Sequence, residues 1–374
     1  MKKLAACLFL LVLYRHDPVT AQPIDKKATR ETKHLYAGLK GMLSKGILFG
    51  HQDDLAYGVN WKYQPGRSDV KEVSAQYPAM YGWELGGLET DMPANLDTVP
   101  FKKIKQYIHD AYQRGGVSTI SWHLNNPLTG KSAWDPAPAG SVASALPGGE
   151  KNKLYTAWLD KIAGFMLSLK TNDGKYIPVI FRPFHELNGS WFWWGGKNCT
   201  PGEIKELWRF TVGYLRDKKN VHNLLYAFNT DRFSGTEEYQ ERYPGDEWVD
   251  IIGFDIYQKG DILANDKFIA VLDKSLTTLE TIATEKNKIP ALTEFGYNKV
   301  PDSSWWTNVF YRAIEKHHIA YVLAWRNAGA KPRGEVEYYV PFKGQESELD
   351  FKKFSVLNKI FLQRKCRQQH LYRQ

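Results

Sequence analysis

Only three cysteines occur in 374 residues, Cys7, Cys199 and Cys366. That excludes a disulfide framework and leaves at most one bridge, between Cys199 and Cys366, in an oxidising compartment. The chain also lacks a His-x-His pair or a comparable close cluster of metal ligands, so no metal and no other cofactor is expected. No apolar run reaches the roughly 20 residues of a membrane-spanning helix. No Pro/Ser-rich linker or low-complexity tract divides the chain, and 30 glycines without a period exclude a collagen-like fibre. A basic patch interleaved with aromatics is missing too. The 50 Lys and Arg against 41 Asp and Glu give a net charge of +9, but they are scattered, so nucleic acid is not the expected partner. What abounds is aromatic: 13 Trp, 21 Tyr and 18 Phe exceed what core packing requires, and point to a flat ligand with apolar faces and polar edges.

The amino terminus carries the pattern of an export leader. Lys2 and Lys3 precede the apolar run Leu4–Tyr14, and Val19-Thr20-Ala21 offers small residues for cleavage after Ala21. Cys7 lies before the apolar run, in the wrong place for a lipid-bearing cysteine, and reads as an ordinary leader residue. Residues 1–21 are thus expected to be a signal peptide, and the mature protein an exported, periplasmic or extracellular monomer that is not membrane-bound.

Eight short apolar runs alternate with helical patterns. The strands are read as β1 Gly46–His51, β2 Ala79–Gly86, β3 Val117–His123, β4 Ile177–Pro183, β5 Asn223–Asn229, β6 Val249–Tyr257, β7 Ile289–Phe295 and β8 Ala320–Asn327. Helices are expected at Phe101–Arg114, Lys153–Lys170, Glu203–Lys218, Asp266–Lys286, Ser303–His317 and Glu348–Leu362. In the second of these, Leu154, Trp158, Ile162 and Phe165 recur at helical spacing. Continuous apolar strands are those of a parallel sheet buried on both faces. The fold class is α/β: a single (β/α)8 TIM barrel over residues 22–363, followed by a loose polar tail at 364–374.

In such a barrel the chemistry lies at the carboxyl ends of the strands. Those ends carry His51, Gln52 and Asp53, then Glu84, His123, Arg182, His185 and Glu186. Asp231, Asp255, Tyr257, Glu294, Trp325 and Arg326 follow. Glu186 after β4 and Glu294 at the end of β7 face one axial cavity from opposite sides, the disposition a retaining glycosidase needs for an acid/base and a nucleophile. Arg182 is placed to keep Glu294 ionised, and Tyr257 to donate to it. His123 and His185 suit sugar hydroxyls. The run Trp191-Phe192-Trp193-Trp194, in the loop after β4, offers faces on which pyranose rings stack.

The stretch Phe181-Arg182-Pro183-Phe184-His185-Glu186-Leu187-Asn188-Gly189-Ser190-Trp191-Phe192-Trp193-Trp194-Gly195 resembles the acid/base motif of glycoside hydrolase family 26 β-mannanases. Thr293-Glu294-Phe295-Gly296 is similar to their nucleophile motif. Phe49-Gly50-His51-Gln52, Ser121-Trp122-His123, Phe254-Asp255-Ile256-Tyr257 and Ala324-Trp325-Arg326-Asn327 resemble the family in the same order, and the likeness covers residues 35–363. It implies Glu186 as acid/base, Glu294 as nucleophile and a β-1,4-mannan, galactomannan or glucomannan as substrate. It also implies that His123, Arg182, His185, Trp191, Asp255, Tyr257, Trp325 and Arg326 line the subsites around the scissile bond. Internal cleavage and release of mannobiose from a chain end both remain open. The family also holds lichenases and β-1,3-xylanases, and a catalytically inactive mannan-binding barrel is a further alternative.

Each residue also has a plainer reading. His51 and His123 are either core histidines or, with His185, Asp53 and Asp255, ligands to a metal. Trp193 and Trp194 either touch sugar or pack beneath their loop. Glu84 and Asp231 are equally well structural. Trp134, in the long loop Leu124–Gly149, is a candidate platform for an outer subsite.

Overall fold

A computed structural model describes residues 22–136, 138–330 and 334–373. The leader read at residues 1–21 lies outside them. Eight parallel strands close into a barrel: β1 Ile47–Gln52, β2 Met80–Glu84, β3 Val117–Trp122, β4 Val179–Pro183, β5 Leu224–Thr230, β6 Ile251–Gln258, β7 Ile289–Tyr297 and β8 Tyr321–Ala324. They follow one another around the sheet in chain order. The ring shuts where β1 meets β8, with Leu48 opposite Tyr321 and His51 opposite Ala324. Helices run between the strands, so the expected (β/α)8 barrel is the fold observed. Among the described residues no helix is long and apolar enough to cross a membrane.

The continuous apolar strands split into two cores, as strand geometry requires. Leu48, Met80, Val117, Ile180, Leu225, Ala227, Ile251, Ala291 and Leu323 fill the barrel interior. Their sequence neighbours Ile47, Phe49, Trp83, Ile120, Phe181, Phe228, Ile252, Phe254 and Leu292 face the helices. The interior is tight near β1 and β2: a β-carbon on Gly82 would collide with the Gln52 amide oxygen.

Helix limits differ from the sequence reading where packing overrides periodicity. The third expected helix begins at Pro201, behind a Thr200–Glu203 capping box, and loosens into a π-helical turn over Tyr214–Lys218. The helix expected over Ser303–His317 is mostly a π-helical stretch, Trp306–Tyr311, beside the fully buried Trp305 and Trp306. The last expected helix stops at Val356, and Ile360–Phe361 pairs with the start of β1. Leu154, read as part of an apolar face, is exposed; Tyr155, Trp158, Leu159 and Ile162 are buried instead.

The polar stretch after residue 363 is docked rather than loose. It forms the helix Gln363–Gln368, buries Cys366 and Leu371, and donates from the Tyr372 hydroxyl to the Gly116 carbonyl at 2.8 Å. Three apolar or aromatic anchors among charged residues are enough to hold it. Cys199 and Cys366 are both free. The Cys366 thiol donates to the Gly115 carbonyl and Cys199 lies beside Arg242, so the bridge considered from sequence does not form.

Candidate active site

Strand alternation brings most of the site together. On β6, Phe254 and Ile256 pack outward, so Asp255 and Tyr257 turn inward at one-residue spacing. On β4, Ile180 and Arg182 share the inner face, and on β5 Asn229 follows Leu225 and Ala227 there. Glu294 does not reach the axis by alternation alone. Leu292 and Phe295 both pack outward, leaving two residues between them instead of an odd number. The ladder shifts register at this point: Phe254 stands opposite Leu292, but Asp255 stands opposite Glu294. This bulge turns both Thr293 and Glu294 inward, as bulges near active sites commonly re-aim a side chain.

Arg182 is the hub. It is 1% exposed and donates to Asn229 and, at 3.0 Å, to Asp255; its second nitrogen donates to Glu294. Burial opposes its charge, but Glu294 and Asp255 overcome this and hold the guanidinium protonated. Burial and Glu294 push Asp255 toward its neutral form, while Arg182 and the Thr293 hydroxyl, 2.8 Å away, pull it back. The Tyr257 hydroxyl donates to the other Glu294 oxygen at 2.8 Å. Burial, then Glu294, raises the Tyr257 phenol well above its usual range, so it remains a donor.

Glu186 lies on a different kind of support. It follows β4 in a turn where Phe184 and Glu186 both have φ of 52°, a left-handed conformation that disfavours side chains larger than glycine's. Its Oε2 accepts from Trp191 Nε1 at 2.7 Å. Burial, and then Asp255, Glu294 and Asp231 as like charges, push its carboxyl well above the ordinary range. One oxygen each of Glu186, Asp255 and Glu294 lie within 4.8 Å of one another. Three carboxylates so close are also a donor set for a hard cation, but Arg182 already supplies positive charge to two of them.

The remaining candidates divide. His123 and His185 meet, Nε2 to Nε2, at 2.9 Å beside this cluster. His185 is held neutral by burial, with His123 and Arg182 adding to the effect. Trp134 stacks on His123 with centroids 4.9 Å apart and is 50% exposed; Trp191 is 40% exposed. Phe192, Trp193 and Trp194 are buried. Trp193 donates to the Leu124 carbonyl and Trp194 to that of His185, so these two brace the loop. Trp325 is half-buried. Arg326 is paired with Asp97 and Glu337, which ties the loops after β2 and β8 together.

His51 stands apart from the site. It shares the outward face of β1 with Ile47 and Phe49 and bonds Asp54 at 2.8 Å, both residues being buried. Asp53 accepts from the Tyr57 hydroxyl at 2.7 Å, and burial raises its carboxyl to about 6. Neither joins the carboxylate cluster, so the metal-ligand reading of His51, His123, His185, Asp53 and Asp255 has no common centre.

Two residues went unread in the sequence. Asn229 orients Arg182, and its only signal was its place on the inner face of β5. Tyr339 stands edge-on to Tyr257 with centroids 5.6 Å apart. It comes from the loop after β8, whose fold no local pattern announces.

Comparison with known proteins gives the family and the fold. The profile of glycosyl hydrolase family 26 matches residues 24–326. A mannan endo-1,4-β-mannosidase of Bifidobacterium adolescentis is 37% identical over 358 residues, which is 90% of this chain and 35% of that one. The chain thus spans about a third of the length of that relative. One from Bacillus subtilis is 31% identical over 280 residues, covering 69% of this chain and 74% of its own. Among solved structures, a GH26 β-mannanase from Bacteroides ovatus superposes with a TM-score of 0.85 at 45% identity, covering 89% of this chain and 95% of that one. The catalytic domain of a GH26 endo-β-1,4-mannanase from Bacillus sp. JAMB-750 gives a TM-score of 0.86 at 34% identity, covering 94% and 96%.

Proposed function

This chain belongs to glycosyl hydrolase family 26, and on that premise we propose that it is an endo-acting β-1,4-mannanase that cleaves with retention of configuration. The observation that carries the mechanism is that one carboxyl oxygen of Glu186 and one of Glu294 lie within 4.8 Å of each other. Retaining enzymes hold their two carboxyl groups about 5–5.5 Å apart, whereas inverting ones leave about 6.5–9.5 Å for a water.

Glu186, with its proton held by burial and like charge, protonates the glycosidic oxygen as the C–O bond breaks. Glu294, an acceptor from Arg182 and Tyr257, attacks the anomeric carbon and forms a glycosyl ester. Glu186, now ionised, takes a proton from water, and the resulting hydroxide displaces Glu294. Two inversions give net retention. Trp191 and Trp134 supply exposed aromatic faces beside this centre, and His123, His185 and Asp255 complete its polar wall.

The test is proton NMR of sugar freshly released from linear β-mannan. The β-anomer is expected first; the α-anomer first would refute the mechanism. The same digest reports the mode, since internal cleavage yields a spread of oligosaccharide lengths from the start, and a single dominant disaccharide would refute it. The reading of residues 1–21 as an export leader is tested by N-terminal sequencing of protein recovered outside the cytoplasm, with Gln22 expected first.

A further inference from the structure

Glu84 ends β2 fully buried, and the two-carboxylate reaction gives it no task. Four donors converge on it. The Ser121 hydroxyl at 2.6 Å and His123 Nδ1 at 2.7 Å meet Oε2; the Gly86 N–H at 2.5 Å and the His123 N–H at 2.7 Å meet Oε1. Burial alone would raise this carboxyl, but His123 and the other donors overturn that and hold it at about 2.

An ionised carboxylate accepts and cannot donate, so His123 must carry a proton on Nδ1. Its Nε2 then faces His185 Nε2 at 2.9 Å. One of these two nitrogens has to donate and the other accept. In one assignment His123 Nε2 accepts and His185 Nε2 donates. That assignment leaves His185 Nδ1, buried and with no hydrogen-bond partner among the described residues, as a bare lone pair and not as an orphaned N–H, the rarer state in folded proteins.

We propose that Glu84 is a positioning residue for the glycosidase reaction. Through His123 it fixes His185 as a donor at Nε2, and so pins the turn that presents Glu186. The inference rests on the reading of Glu186 as acid/base. The turn needs an anchor because His185 sits between two residues in left-handed conformation. Its backbone carbonyl is held by Trp194 at 3.0 Å, and its ring is tied across to the end of β3 by the bond to His123. A carboxylate that sets the tautomer and orientation of an imidazole acts without touching substrate.

Glu84→Gln keeps the shape but replaces one accepting oxygen with an NH2 donor among four donors. In enzyme labelled with 15N at histidine, long-range proton–nitrogen correlation reads which ring nitrogen carries hydrogen, and His123→Gln assigns the signals. The wild type is expected to show hydrogen on Nδ1 of His123 and on Nε2 of His185; the variant is expected to show the His123 tautomer reversed or mixed. Its kcat on mannan should fall about 10- to 100-fold with KM nearly unchanged, and Glu84→Asp, which keeps the charge, should recover part of the loss. An unchanged His123 tautomer in Glu84→Gln, or full kcat, overturns the proposal. So does a bare Nδ1 on His123 in the wild type, which decides the matter even if the variant fails to fold. The NMR arm needs no substrate. The functional reading fails separately, if wild-type enzyme releases no sugar from mannan.

Discussion

Replacing Arg182 with methionine is the perturbation that most directly probes the charge arrangement. The guanidinium is 1% exposed and donates to Asn229, Asp255 and Glu294, and both acids are buried too. Methionine fills much the same volume but leaves two carboxylates without a counter-charge. Removing one partner of a buried pair costs about 3–5 kcal/mol, because the surviving charge stays desolvated. In a chain of this size that is a fall of roughly 4–7 °C in unfolding temperature at neutral pH. The sign of the pH dependence follows from proton linkage. In the variant the stranded acids keep protons to higher pH than they do in the unfolded chain, so the folded state binds more protons and stability falls as pH rises above about 4. The gap to wild type should therefore widen from pH 4 to 7. Thermal scans of both proteins across that range measure it. Activity should drop by at least a thousandfold at pH 7, since a protonated Glu294 is no nucleophile. Arg182→Lys should recover stability in part, as one ammonium cannot reproduce the fork to both acids. Equal unfolding temperatures for wild type and Arg182→Met at pH 7 would show that the acids are not held as a buried charge pair, and the assignment of Glu294 would lose its main support.

The other predictions concern Glu186. As the proposed acid it must be protonated to act, so activity is expected to be lost as pH rises through its pKa, and that alkaline limb should lie above the ordinary glutamate range. Trp191→Phe removes an N–H donor that favours the Glu186 anion, so the limb should move to higher pH with little change in unfolding temperature; movement downward would contradict the bond. Asp231→Asn removes a like charge and should move the same limb to lower pH, and an unmoved limb would show that Asp231 is too well screened to matter. Glu186→Ala should slow mannan hydrolysis far more than hydrolysis of an activated aryl glycoside. Equal losses on the two substrates, measured as kcat/KM, would argue against proton donation to the leaving group.

The barrel was legible because eight apolar runs and their helical partners recur at regular spacing, and parallel strands buried on both faces leave that mark. Glu186, Glu294, Arg182, Asp255 and Tyr257 were legible because strand ends are where such barrels place chemistry. Three things were not. Alternation counted from Leu292 turns Glu294 outward, and only the bulge at Thr293 corrects it; a bulge depends on the neighbouring strand's register, which no local pattern records. His51 ends its strand as His123 does, yet one faces the helices and the other the axis, because the first shares its parity with Phe49 and the second with Thr119 and Ser121. The partners of Arg326 are Asp97 and Glu337, which lie 229 and 11 positions away in the chain. Pairings between loops of different strands are set by tertiary structure alone.

Three acids lie together here with one guanidinium that bonds only two of them, and the consequence reaches the chemistry. Arg182 is committed to Asp255 and Glu294, while Glu186 has only the Trp191 N–H. Ionising Glu186 as well would set like charges within 4.8 Å of each other, a repulsion on the order of 3 kcal/mol at an effective dielectric constant of about 20. Glu186, the acid that lacks the arginine, therefore keeps its proton at rest. Under the proposed reaction Glu186 surrenders that proton as the glycosidic bond breaks, which is also when positive charge builds on the anomeric carbon. The negative charge left on Glu186 is then met by the charge on the sugar. The repulsion that holds Glu186 protonated at rest is thus relieved in the transition state, an interaction stronger there than in the ground state and so one that raises kcat and not merely affinity.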